Sequence, residues 1–547
     1  MRKSSVFVIG LFLLIYILPL GVRPIFIPDE VRYGEISREM LVSGDWVVPH
    51  LNGLRYFEKP VLGYWLNALS MMLFGENAFA IRFPSALAAG ISGLMIFCIV
   101  RRFASDYSAG ILSATIFLTC LEVFAVGCFC VLDTMLSLFL TAAMISFFFA
   151  YIEDKGSKRT VFLAFFGAFC GLAFLIKGFI AFAVPVVIIV PFMIWQGRWK
   201  ELFVFSWVPI IMALLVILPW AVMIHLRESD FWRYFIWEEH IKRFLSEIPQ
   251  HPEPFWFFIP IIIGGALPWT VLLPVTVQGI KETRLKDPFI RFALCWFLFP
   301  FLFFSASHGK LGTYILPCFP PLAILITIGL LNYFKREKTR AFTICSSLFG
   351  SVIGILTVLL VVNQVTGFPG FRVYGQTEIW KFLFGVAGLS TWSLFLLLAG
   401  KAQGLQKKLV LYSCAPLLLM FSAHFIIPDQ SKESKAPGEF LLRHSDRVQT
   451  DTILVTDDLV RAVCWFFKRD DVYMFRELGE HAYGLRFDNL IRRRFLTIDQ
   501  FSKLAKKYSG KRRVTLITDT EHYANYRHLL QKPVFEDVDC GFVFVQF

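Results

Sequence analysis

Charge is what this sequence has little of. Of its 547 residues, 17% are Asp, Glu, Lys or Arg, against about 25% in soluble domains. It also lacks the phosphate-cradling loops GxGxxG and GxxxxGK[ST] and the nucleophile elbow GxSxG, which argues against a nucleotide-driven pump and a serine hydrolase. No paired CxxC array is present, so no zinc ribbon is expected. Of the eleven cysteines, Cys98, Cys120, Cys170, Cys295, Cys345 and Cys414 lie inside apolar runs, where cysteine acts as a small hydrophobe. The first apolar run, "VFVIGLFLLIYILPL", follows Arg2 and Lys3 but no small-residue cleavage site follows it. It reads as a retained span rather than a signal peptide.

What the chain has instead is apolar surface. Hydrophobic residues make up 56%, Phe alone occurs 61 times, and the mean hydropathy is +0.62. That implies many membrane crossings, not one anchor. Runs near the roughly 20-residue crossing length predict thirteen spans at about 5–24, 81–100, 108–127, 134–152, 160–176, 179–196, 203–224, 255–279, 292–306, 314–333, 341–363, 382–400 and 409–427. With residue 1 in the cytoplasm, the N-terminus and the short connections on that side carry twenty Lys and Arg against seven Asp and Glu. This is the positive-inside pattern, and it absorbs the net charge of +13 without calling for nucleic acid. The outer connections are then 25–80, 225–254, 307–313 and 364–381. The run "VLGYWLNALSMMLFG" inside the first is short for a crossing and reads as an interfacial helix, as does "FWRYFIWEEHIKRF" in the second.

After Pro428 the composition changes. Short β-like runs, "TILVT", "DVYMF", "RVTLIT" and "GFVFVQF", alternate with helical "LVRAVCWFFKR" and "EHYANYRHLLQ". The expected architecture is an all-α polytopic membrane domain over 1–428 and a small α/β domain over 429–547, outside the cytoplasm because an odd span number separates the chain ends. Cys464 and Cys540 in that domain would permit a disulfide.

Charged residues gather at the predicted outer ends of the spans. "PDEVRYGEISREM" (28–40) puts Asp29 and Glu30 just past the first span. As a solvated first helical turn, acids near the positive helix end explain part of Glu30, Glu35 and Glu39. Asp29 is explained less well, because the loop continues with Arg55, Tyr56, Glu58 and Lys59. Asp133 in "CVLDTML" and Lys177 in "FLIKGFI" are each flanked by apolar residues. A helix-capping Asp and a snorkelling Lys account for either alone; together with Asp29 they form a set on one face, and ionisable groups at membrane depth mark function. The loop 225–254 adds Arg227, Arg233, Glu239, His240 and Arg243, and 307–314 adds His308, Lys310 and Tyr314. Lys, Arg and Tyr suit a lipid-linked phosphate as point charge, bidentate fork and neutral donor. Glu58 and His240 could hold a divalent cation, or be a salt-bridged Glu and an ordinary interfacial His.

The stretch "PDEVRYGEISREMLVSGDWVVPHLNGLRYFEKPVLGYW", with "LIKGF", "FWRYFIWEEHIKRF" and "GKLGTYILPCFPPLA", resembles the lipid A 4-amino-4-deoxy-L-arabinose transferases. These are GT-C membrane glycosyltransferases related to the protein O-mannosyltransferases. The resemblance covers roughly 1–430. Where the family usually reads Lys-Leu-Pro-Thr-Tyr, this chain has Gly312. The resemblance implies an undecaprenyl-phosphate aminoarabinose donor, a lipid A phosphate acceptor, membrane lipid as the surroundings, no required cofactor, and transfer on the periplasmic face of the inner membrane, giving resistance to polymyxin and other cationic peptides. It implies Asp29 and Asp133 as catalytic carboxylates, Lys59, Arg243, Lys310 and Tyr314 as donor-phosphate ligands, and Glu30, Arg55, Tyr56, Glu58 and Lys177 as cavity residues. The acceptor phosphate is already anionic, so Asp29 is expected to orient the acceptor, contact the sugar ammonium or steady positive charge at the anomeric carbon, rather than act as a base.

Three rivals remain at this stage. A sibling transferase would use another sugar or acceptor, including a protein hydroxyl. A lipid flippase would need gating charges or broken helices in both membrane halves. A structural scaffold would leave Asp133 and Lys177 unexplained.

Overall fold

The computed structural model describes residues 3–104, 106–242, 251–281, 287–476, 478–486, 494–508 and 514–547. The chain divides into two compact units. The first comprises Met1–Val22, Arg82–His225 and Trp232–Pro428; the second comprises Arg23–Ile81, Leu226–Phe231 and Asp429–Phe547.

The first unit is built of helices. Among the described residues of the chain, eight helices are long and apolar enough to cross a membrane: Ala78–Phe103, Asp133–Ile152, Ser157–Lys177, Trp199–Arg227, Pro288–Ala306, Gly312–Phe334, Arg340–Thr366 and Gln376–Lys401. This is a multi-pass membrane protein. Lipid tails are as apolar as the helices, so association depends on packing rather than on escape from water. Phenylalanine pairs contribute to it: Phe148 stacks on Phe292 at 4.8 Å, and Phe192 meets Phe292 edge to face at 5.2 Å. Such pairs add about 0.5–1.5 kcal/mol each beyond area burial.

Two predicted spans are broken rather than straight. The run 108–127 is two helices, Tyr107–Thr119 and Leu121–Gly127, bent by 65° where Cys120 adopts an extended backbone. The run 255–279 becomes Phe258–Gly265 and Trp269–Lys281, bent by 94°. There Pro268 removes a donor, and its ring pushes Leu267 out of the helical region. A break at membrane depth must satisfy its freed backbone groups within the protein. Leu121 N–H of one break donates to the Leu267 carbonyl of the other at 3.2 Å, Tyr412 Oη from a third helix donates to the Pro268 carbonyl at 2.6 Å, and Trp269 Nε1 ties the two breaks together by donating to Thr119 Oγ1 at 2.9 Å.

The second unit holds the helices Asp29–Ser43 and Leu62–Phe74. The latter, at 13 residues, rises about 20 Å at 1.5 Å per residue, less than a bilayer core. Between them lies a hairpin, β1 (His50–Leu51) and β2 (Leu54–Arg55). Its two turn residues, Asn52 and Gly53, both have positive φ, 58° and 67°, as a two-residue turn between twisted strands requires.

The rest of the unit is a six-stranded mixed sheet: β3 (Ile453–Thr456), β4 (Tyr473–Phe475), β5 (Phe495–Leu496), β6 (Val514–Asp519), β7 (Phe535–Asp539) and β8 (Phe542–Gln546), in spatial order β5-β4-β3-β6-β8-β7. Strands β5, β4, β3 and β6 run parallel, and β8 is antiparallel to both β6 and β7. The crossover Val460–Phe467 joins β3 to β4, and Ile498–Lys507 joins β5 to β6. β8 is buried along its whole length, which is why "FVFVQ" reads as a continuous apolar run.

One expectation is corrected, and one question that the sequence left open is answered. Cys464 and Cys540 are free, the first buried and the second exposed. Glu30, Glu35 and Glu39 do not form a solvated turn; they are 0%, 0% and 5% exposed. Their charges are taken up inside the unit, Glu35 by Arg38 at 2.6 Å and Glu39 by the Asn52 and Gly53 N–H groups at 2.5 and 2.9 Å. Phe231 and Phe235 are also fully buried. Each packs on protein rings: Phe231 on Phe57 at 5.1 Å, Phe235 on His240 at 4.6 Å.

Candidate active site

The expected site residues fall in both units, and each set has its own geometry. In the second unit, Asp29 opens its helix and accepts from Arg32 one turn on, the i,i+3 spacing that brings side chains together on a helix face. Arg32 Nη1 also donates to Glu480 Oε2 at 3.0 Å, and Glu480 Oε1 takes Arg461 Nε at 3.0 Å. Burial by itself would raise the Glu480 carboxyl, but Arg461 and Arg32 outweigh it and hold it below the usual range. Tyr56 Oη reaches Glu58 Oε2 at 2.9 Å and Glu480 Oε2 at 3.1 Å. Its burial pushes the phenol well up, so it stays a neutral donor.

Lys59 Nζ donates to the Glu58 carbonyl at 2.9 Å. Arg55 spans Glu228 at 2.8 Å and Asp230 at 3.8 Å, and Tyr483 donates to Asp230. Glu30 is a loop staple: it accepts from Arg23 Nη2 at 3.1 Å and from the Phe26 N–H at 2.9 Å.

In the first unit, Asp133 begins one helix and Lys177 ends the next. Their charges meet at 2.6 Å with side chains only 13% and 17% exposed, and Lys177 Nζ lies 4.8 Å from the Tyr314 ring centre. The chain can stop its helix at Lys177 because Gly178 follows at φ 78° and ψ −145°, a region close to glycine-only that costs a side-chain-bearing residue about 1–3 kcal/mol. Lys310 is 3% exposed and donates to the Glu253 and Ser307 carbonyls at 2.8 and 2.5 Å. His240 Nδ1 lies 2.6 Å from the Phe235 carbonyl. Arg243 lies outside the described residues.

Glu58 and His240 belong to different units. Among the described residues, one group of three side chains has metal-type ligand atoms within 4.8 Å of one another: Asp457, Asp519 and His522. Hydrogen bonding already accounts for it. Asp457 Oδ2 accepts from Thr518 Oγ1 at 2.8 Å and Tyr526 Oη at 3.1 Å, while Asp519 caps the helix Thr520–Tyr526.

Sequence reasoning passed over Arg32, Glu480 and Arg461. Helical spacing from Asp29 was a usable signal for Arg32. None existed for Glu480, which is 448 residues from Arg32.

Comparison with known proteins joins these features. Residues 4–235 match the dolichyl-phosphate-mannose-protein mannosyltransferase family, and 432–546 match the C-terminal domain of the arabinosyl transferase ArnT. The undecaprenyl phosphate-alpha-4-amino-4-deoxy-L-arabinose arabinosyl transferase of Shewanella sediminis is 41% identical over 482 residues, 87% of each chain. That of Erwinia tasmaniensis is 40% identical over 526 residues, 94% of each. A crystal structure of ArnT from Cupriavidus metallidurans bound to undecaprenyl phosphate superposes with a TM-score of 0.82 at 21% identity, over 99% of this chain and 97% of that one, so the two share a fold. Long relatives at this identity leave one assignment: the chain is a glycosyltransferase and belongs to the undecaprenyl phosphate-aminoarabinose arabinosyl transferase family.

Proposed function

We propose that this enzyme moves 4-amino-4-deoxy-L-arabinose from undecaprenyl phosphate to a phosphate of lipid A, on the periplasmic face of a bacterial inner membrane. The carrying observation is the 41% identity with an aminoarabinose transferase over 87% of both chains. The added amine offsets phosphate charge on lipid A, so cationic peptides such as polymyxin bind it less well.

The positive-inside count supports thirteen crossings with the C-terminal sheet in the periplasm. The broken pairs, the short apolar helices Val6–Ile17 and Ile180–Trp195, and the helical stretch 405–422 would supply the crossings beyond the eight long helices.

In the reaction, an acceptor phosphate oxygen attacks the anomeric carbon. The bond from that carbon to the undecaprenyl phosphate oxygen breaks, and its electron pair leaves with the carrier phosphate. Positive charge grows at the sugar and negative charge on the leaving group, so preorganised cations at the phosphate lower the barrier. In the first unit Lys177 offers such a cation and Tyr314, its ring 4.8 Å away, a neutral donor; Lys310 would join them by releasing its carbonyl partners. The family resemblance assigns Lys59 as a further phosphate ligand and Asp29, which Arg32 holds in orientation, as the carboxylate that steadies the acceptor or the anomeric carbon. The scheme needs no cofactor, since neither step uses redox or metal-bound water.

Purified protein in lipid, given the undecaprenyl-phosphate sugar and lipid A, should yield a pentosamine adduct on lipid A by mass spectrometry. A hexose adduct on a protein acceptor, or a donor that only changes leaflet, would overturn the proposal.

A further inference from the structure

Glu122 has no part in the scheme above. It lies in the first turn of Leu121–Gly127, immediately after the break at Cys120, and it is half-buried. Among the described residues, no hydrogen bond or ion pair engages its carboxylate. The plain explanation is an acid near a positive helix end. That does not say why an ionisable group stands where two broken helices interlock, with Asp133 as a like-charged neighbour. Ionisable groups at membrane depth have partners, and discontinuous helices build substrate sites in membrane proteins.

The surroundings make room for a partner. Gly265 backs the side chain: a Cβ there would lie 2.8 Å from Glu122 Cβ, so any larger residue would displace the glutamate. At its head lies Gly312, whose Cβ would stand 3.8 Å from Glu122 Oε1. Nearby, Lys177 is already engaged with Asp133 at 2.6 Å. Glu122 has no such partner among the described residues.

Gly312 and Tyr314 belong to one 3-10 turn, two residues and about 4 Å apart along its axis. The turn thus puts Glu122 beside its first residue and the Lys177–Tyr314 pair beside its third. The donor sugar has the matching polarity: a phosphate at C1 and, across the ring at C4, an amine that is protonated at neutral pH.

We propose that Glu122 is the specificity-determining residue that accepts the C4 ammonium of the donor sugar. This rests on the transferase reading above. The test compares two donors, undecaprenyl-phosphate aminoarabinose and its neutral counterpart with a hydroxyl at C4, in wild type, Glu122→Gln and Glu122→Asp. Glu122→Gln keeps shape and removes charge, so the ratio of kcat/KM for amino over neutral donor should fall on the order of a hundredfold. Glu122→Asp should keep part of the preference. Using a ratio within one preparation cancels any loss of folded protein. Wild-type transfer with an unchanged ratio in Glu122→Gln would overturn the role of Glu122 alone. A wild type that turns over neither donor would overturn the transferase reading, and this proposal with it.

Discussion

Asn52 gives both ends of its side-chain amide to the backbone of Val472. Nδ2 donates to the Val472 carbonyl at 2.9 Å, and Oδ1 accepts from its N–H at 3.0 Å. Asn52 is fully buried at the tip of the β1–β2 hairpin, so a residue at the mouth of one loop acts as an extra strand partner just before β4. Asn tolerates the left-handed backbone that the turn imposes. Asn52→Ala leaves two backbone groups buried and unpaired, at about 1–3 kcal/mol each. The variant should unfold about 2–6 kcal/mol more easily in a denaturant titration followed by Trp fluorescence. Asn52→Asp keeps the acceptor and loses the donor, and should fall between.

The second unit should have a stability maximum in pH, set by two buried groups of opposite behaviour. Burial pushes the His481 imidazole down to about 4 from 6.5. A depressed pKa gives stability that is complete above pH 6.5 and is lost as pH falls from there toward 4. Glu39 is pushed up to about 8 from 4.5, by burial first and then by the neighbouring Glu35. A raised pKa gives stability that is complete below pH 4.5 and is lost as pH rises toward 8. Between 4.5 and 6.5 the two oppose each other; above 6.5 only the Glu39 loss continues. Melting temperatures from pH 4 to 9 should therefore fall on the alkaline side in wild type, and that limb should flatten in Glu39→Gln. In His481→Asn nothing opposes Glu39 between pH 4.5 and 6.5, so the fall should begin near pH 4.5 rather than near 6.5. Either substitution also moves the whole curve, so the slope is the quantity to read.

Gly178 should tolerate no side chain. Its φ is +78°, and a Cβ would come within 2.7 Å of Phe235 Cζ and 3.0 Å of His240 Nε2. Gly178→Ala meets both the backbone penalty of about 1–3 kcal/mol for a region close to glycine-only and the steric conflict. Because Lys177 precedes it, the shift would be felt at the Lys177–Asp133 pair. Expected are a lower melting temperature and a fall in transfer rate of tenfold or more, on the order of what a 1 Å misplacement costs. Normal rates would show that the end of the helix does not set the position of Lys177.

What could be read in the sequence follows from the range of each interaction. Spans were legible because crossing length and loop charge are local. Asp133 and Lys177 stood out because each is alone in an apolar run, and the structure pairs them. The bends at Cys120 and Pro268 were not legible as bends: each run keeps the hydropathy of a single span, and the contacts that tie the two breaks together span about 150 residues. The buried state of Glu35 and Glu39 was hidden for the same reason. A helix that is half charged looks solvated until its partners are known, and Trp465, which packs on Gly34 of that helix, lies more than 400 residues away. Glu122 escaped notice because a lone acid at a helix start has an ordinary local explanation.

Asp29 offers the sharpest test of the site in the second unit. Asp29→Asn leaves Arg32 still held by Glu480 at 3.0 Å, so the helix Asp29–Ser43 should keep its place and the protein its fold. What changes is charge alone, at a side chain that is 40% exposed and therefore open to substrate. Loss of one preorganised electrostatic group costs about 100- to 1,000-fold in turnover, so initial rates of pentosamine transfer should fall by at least that much. A shift in KM with kcat intact would mean that Asp29 only binds the acceptor. Near-wild-type rates would remove it from the chemistry altogether. Asp29→Glu separates charge from reach: if position matters as much as sign, it should recover little, because the longer side chain moves the carboxylate by about 1.5 Å, the length of one added carbon–carbon bond.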